Sequence, residues 1–71
     1  MDAVRKQFAA NLRKHRDRVG LSQEALADIC DLHRTEISLL ERCKRSPRLE
    51  TIVILAHGLE LSPPELLEGI D

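Results

Sequence analysis

Aromatic residues are almost missing from this 71-residue chain: Phe8 is the sole one, with no Trp or Tyr. Leu, Ile, Val and Ala must therefore supply the core, and a Leu- and Ala-rich core favours helices over strands. Only two cysteines occur, Cys30 and Cys43, which excludes the disulfide framework of a secreted mini-protein. No apolar h-region lies in the charged first twenty residues, so no signal peptide is expected. The longest unbroken apolar run, Ile52 to Ala56, is far too short to span a bilayer. The setting these absences predict is cytoplasmic, with no membrane partner. Basic residues are absent beyond Arg48. Residues 1–48 carry eleven bases against seven acids, leaving +4, and residues 49–71 carry five acids alone, −5. The near-neutral total of −1 thus hides a polarised chain that can turn a positive face toward phosphate.

Seventy-one residues predict one domain, spanning 1–71, in which only roughly 60% of the unfolded surface can be buried. Five helices are expected. Asp2 is a plausible N-cap for the first, in which Val4, Phe8, Leu12, His15 and Val19 share one arc, and Gly20 stops it. Ser22 caps the second, Gln23 to Cys30, with Leu26, Ile29 and Cys30 inward. After a tight Asp31-Leu32 connection, the third runs from Arg34 to Arg42 with Ile37 and Leu40 inward. Pro47 breaks the chain amid Arg42, Lys44, Arg45 and Arg48. The fourth, about Leu49 to His57, is expected to bury Leu49, Ile52, Leu55, Ala56 and, just beyond, Leu59. Ser62-Pro63-Pro64-Glu65 reads as a capping box opening a short fifth helix that Gly69 ends.

Two short helices joined by a tight turn and followed by a basic connection have the length pattern of a helix-turn-helix. On the third helix, 100° spacing puts Arg34, Ser38, Arg42, Thr35 and Leu39 on one face, with Ile37 and Leu40 on the core side. Such a face suits a major groove, because Arg can bind guanine O6 and N7 bidentately and Ser or Thr can bond several base edges.

Leu21-Ser22-Gln23-Glu24, Arg34-Thr35-x-Ile37-Ser38-x-x-Glu41-Arg42, and Pro47 with Leu49-Glu50-Thr51 together resemble the phage-repressor and Cro-like (XRE-type) helix-turn-helix family of transcriptional regulators. The likeness runs from Gly20 to Leu67 and is strongest to the short controller proteins of restriction-modification systems. It implies an all-α, five-helix, lambda-repressor-like fold and sequence-specific binding of double-stranded DNA. It further implies a homodimer on a near-palindromic operator and a place on the bacterial nucleoid. By this resemblance Arg34, Thr35, Ser38, Leu39 and Arg45 are candidates for base contacts, with Leu39 suited to a thymine methyl. Gln23, at a helix N-terminus, Arg42 and Lys44 are candidates for phosphate contacts. Arg16 and Glu41 match a structural ion pair between the first and third helices. Apolar surplus on the last two helices makes Ile54, Leu66 and Ile70 candidates for the dimer interface.

Three residues depart from the family pattern by standing where glycine is usual: Asp31, Cys43 and Glu60. Glu36 replaces a common aromatic; it can stabilise the helix N-terminus or accept from cytosine N4. Cys43 among its basic neighbours leaves a redox switch open. Cys30, His33 and Cys43 lack a zinc-ligand spacing, His15 reads as a semi-buried core residue, and no catalytic constellation is visible. No cofactor, metal or small-molecule ligand is expected. A protein-interaction module that kept the fold, or an antitoxin with a toxin partner, are the competing readings.

Overall fold

The computed structural model describes residues 2–71, and every regular element in it is helical. Helix α1 spans Asp2–Arg18, α2 Gln23–Cys30, α3 Arg34–Glu41, α4 Leu49–Gly58 and α5 Pro63–Leu66. Asp2 lies inside α1 rather than capping it, and α3 stops one residue short of expectation, with Arg42 as its C-cap. The last helix ends at Leu66; Gly69, at φ 83°, closes a turn beyond it.

Phe8, Leu12, Leu26, Ile37, Leu40, Leu55 and Leu66 are fully buried and meet at the centre of the five helices. Each side chain of this kind contributes about 1.5–3 kcal/mol by leaving water. Three expected core residues are instead exposed: Val19 at 51%, Ile29 at 57% and Leu49 at 74%. Val19 falls beyond the last turn of α1, and Leu49 opens the first turn of α4, where no neighbouring helix covers it. Ile29 sits on the shoulder of α2, beside Val19, Leu21 and Leu59 around a shallow apolar hollow.

Polar groups inside this core are placed by specific bonds. Asn11, 4% exposed on α1, donates from Nδ2 to the carbonyls of Leu66 and Glu68 at 3.0 and 2.8 Å, and accepts from Gln7. One amide thereby fastens the end of α5 onto α1 and satisfies carbonyls that a helix C-terminus leaves free. His15 is buried as well, and its Nε2 has no hydrogen-bond partner among the described residues. Burial, then the charges of Lys14 and Arg18, hold its pKa below the usual 6.5 against the opposing pull of Glu65 and Glu68.

Candidate nucleic-acid interface

Local signals set the angle between α2 and α3. Ser22 Oγ accepts from the Ala25 amide at 3.0 Å, the bond of a helix N-cap. At the other end Asp31 takes a left-handed conformation, φ 55°, and its amide and that of Leu32 return to the carbonyls of α2. Asp reaches this conformation with a side chain that penalises it less than most. Cys43 (φ 61°) and Glu60 (φ 59°) do the same after α3 and α4. All three positions where glycine was expected to be replaced are thus left-handed.

Glu41 ties α3 to the helices beneath it. Its side chain has no exposed surface, and Arg16 Nε and Nη2 donate to its two oxygens at 2.7 and 2.9 Å. Arg13 Nε and Gln23 Nε2 donate to Oε1 at 3.3 and 3.1 Å, while Arg16 Nη1 caps the Leu21 carbonyl at 2.8 Å. Burial pushes the Glu41 carboxyl up, but the bonds from Arg16, Gln23 and Arg13 and the Arg16 charge outweigh it, so its pKa lies below the usual carboxylate value. The same bond raises that of Arg16.

With Ile37, Leu40 and Glu41 turned inward, α3 presents the opposite face to solvent. Arg34, Thr35 and Arg42 are exposed and Ser38 half-buried. These four, with Gln23 and Glu24 at the start of α2, line an open hollow of about 630 Å³. Leu39, half-buried, and Lys44 and Arg45, both exposed, lie outside it. Gln23 is turned by its Glu41 bond toward the protein as well as the hollow. Two ion pairs on this surface went unread in the sequence: Arg34 Nη1 to Glu24 Oε2 at 3.0 Å, and Arg45 Nη1 to Glu36 Oε1. Their partners lie ten and nine residues apart on different elements, so helical periodicity does not reveal them. Glu36 therefore acts on a side chain as well as sitting in the first turn of α3.

Of the residues assigned to a dimer interface, Leu66 is misplaced. It has no exposed surface and packs in the core, because the Pro63-Pro64 start sets α5 so that Leu66 faces α1, where Asn11 holds its carbonyl. Ile54 is 39% exposed, and Ile70 is half-buried against the core. Neither an apolar span long enough to cross a membrane nor a metal-ligand cluster occurs among the described residues. Cys30 is buried, its Sγ 3.6 Å from the Ile54 carbonyl, and burial pushes its thiol pKa up.

Known proteins are similar to this chain in sequence and in fold. The control protein C.SmaI of Serratia marcescens is 45% identical over 64 residues, covering 90% of this chain and 76% of that protein. The control protein C.BamHI of Bacillus amyloliquefaciens is 39% identical over 66 residues, covering 92% and 82%. Among solved structures, the restriction-modification controller protein C.AhdI from Aeromonas hydrophila superimposes with a TM-score of 0.87 at 39% identity, covering 90% of this chain and 97% of that one. A hypothetical transcription factor from Neisseria gives the same TM-score at 38% identity, covering 90% and 74%. The helix-turn-helix family model HTH_3 matches residues 12–66. This chain belongs to that helix-turn-helix family and is a DNA-binding transcriptional regulator.

Proposed function

We propose that the chain controls transcription of restriction-modification genes by binding a near-palindromic operator as a homodimer, with α3 in the major groove. The observation that carries this reading is the polar face of α3, Arg34, Thr35, Ser38 and Arg42, opening onto one hollow with the N-terminus of α2. Its likeness to controllers and control proteins supports the choice of target genes. Arg34, Thr35, Ser38, Leu39 and Arg45 are the proposed base contacts, and Gln23, Arg42 and Lys44 the phosphate contacts. A single helix-turn-helix reads a half-site, so two copies are needed for a palindrome. The outer face of α4 around Ile54, with Ile70, is the proposed interface.

Selection from a random duplex pool identifies the operator, and two variants then separate the roles. Arg34→Ala is expected to cost about 1–3 kcal/mol on the selected site and to relax one base position. Lys44→Ala should weaken all duplexes alike and shrink the salt slope by about one. Equal weakening of selected and scrambled duplexes by Arg34→Ala would make Arg34 a backbone anchor and overturn its assignment.

A further inference from the structure

Both arginines proposed to read bases are held by carboxylates, whereas Arg42 and Lys44, proposed to hold phosphate, form no ion pair among the described residues. Glu24, in the first turn of α2, holds Arg34; Glu36, in the first turn of α3, holds Arg45. Protein stability gives no reason for the Arg34 pair. Its partners are 70% and 64% exposed, and pairs of that kind contribute little. A carboxylate beside a polyanion also weakens binding. Such groups are explained if they act on choice between sequences rather than on affinity.

We propose that Glu24 and Glu36 are specificity residues that position Arg34 and Arg45 and cancel their attraction to phosphate. This rests on the base-reading roles proposed above. Each carboxylate engages Nη1 alone. A guanidinium has five donors in a fixed fork, so its Nε and Nη2 edge remains open for the O6 and N7 of a guanine while Nη1 stays on the carboxylate. On a non-cognate duplex the paired arginine carries little net charge toward the backbone. It therefore adds nothing to the sequence-independent term that dominates non-specific binding. On the cognate base it arrives already oriented, with less side-chain freedom left to lose. The two pairs thus lower the floor of non-specific binding and keep the specific contact.

The test uses the full chain and its Glu24→Gln and Glu36→Gln variants, titrated against the selected operator and a scrambled duplex at several salt concentrations. Each variant should bind the scrambled duplex more tightly, with a salt slope steeper by about 0.9, the value of one further phosphate contact. The ratio of specific to scrambled affinity should fall about three- to tenfold, a part of what one bidentate base contact discriminates. Melting of Glu24→Gln should change only slightly, through loss of a first-turn charge, so that altered choice between duplexes does not trace to unfolding. Unaltered scrambled-duplex binding and an unaltered ratio would overturn the proposal. So would a loss confined to one operator base with scrambled binding unchanged, because the carboxylate would then be reading that base itself. Failure of the base-reading assignment is distinct: Arg34→Ala in the wild-type background would leave the specificity ratio intact whatever the Glu variants do.

Discussion

At the scale of single residues, Glu41 is the buried carboxylate on which Arg13, Arg16 and Gln23 converge. Removing it leaves Arg16, whose side chain is only 11% exposed, with its Nε and Nη2 unpaired. Only the exposed Asp17 carboxylate at 3.3 Å and the Leu21 carbonyl then remain, both as partners of Nη1. Breaking a buried pair from one side costs about 3–5 kcal/mol, a large part of a small domain's stability. Glu41→Ala should thus lower the denaturant midpoint sharply, with any change of DNA affinity following from unfolding. Unchanged melting with lost binding would show that Glu41 serves the DNA directly. Much of this was legible in the sequence, since Arg16 and Glu41 both border apolar arcs and match a family pair. Arg13 and Gln23 as additional donors to the same carboxylate were not, because nothing in their spacing distinguishes them from solvated neighbours. Asn11 is not among the expected core residues. Its signal was available: it lies three residues after Phe8 and one before Leu12, both fully buried, so a polar side chain there needs a buried partner.

At the scale of elements, close approach of α2 and α4 depends on a missing side chain. A Cβ on Gly58 would lie 2.5 Å from Cys30 Sγ, and that sulfur is held between the helices by its contact with the Ile54 carbonyl. Gly58→Ala is expected to destabilise by about 1–3 kcal/mol through overpacking, although alanine is the better helix former. Adding Cys30→Ala should return most of that loss, and a double-mutant cycle of thermal or urea melts would measure the coupling. Additive effects would rule the contact out. Helix existence was readable from 3.6-residue periodicity and caps, and each of the five helices lies within a residue or three of its expected bounds. Facing was less readable at the ends. Val19 and Leu49 continue the apolar arcs of α1 and α4, yet at a helix terminus an arc has no opposing element to bury it.

For the whole molecule, pH and self-association are the measurable properties. Folded His15 binds its proton less readily than the unfolded chain, which titrates near 6.5. Stability is therefore complete above that pH and declines as pH falls through 6.5 toward the lower folded value, where the unfolded state takes up the extra proton. Melting temperature should drop between pH 7.5 and about 5.5, and His15→Gln should flatten that part of the profile. Glu41 and Glu65 act in a separate, more acidic window, because their pKa values are depressed below 4.5 and their contribution fades only as pH falls below that point. Self-association is tested at the outer face of α4: Ile54→Lys should shift sedimentation toward monomer and weaken operator binding, with melting of the monomer little changed. A wild-type chain that sediments as monomer at high micromolar concentration would sink the dimer. The surface proposed for a dimer was the part least legible in the sequence. Leu66 and Ile70 have equal claims as apolar residues near the end, and only the packing of α5 on α1 separates them.

The division of labour on α3 has a consequence for how such a regulator diverges. Ile37, Leu40 and Glu41 attach the helix to the rest of the molecule, while Arg34, Thr35 and Ser38 line the open hollow beside that attached face. Exchanges at the outer positions leave the buried attachments in place and cost at most the exposed Arg34–Glu24 pair. With the base-reading roles proposed for these positions, a lineage can acquire a new operator by a few substitutions without first accumulating surplus stability. Two such regulators sharing a cell can become mutually indifferent while their scaffolds remain interchangeable.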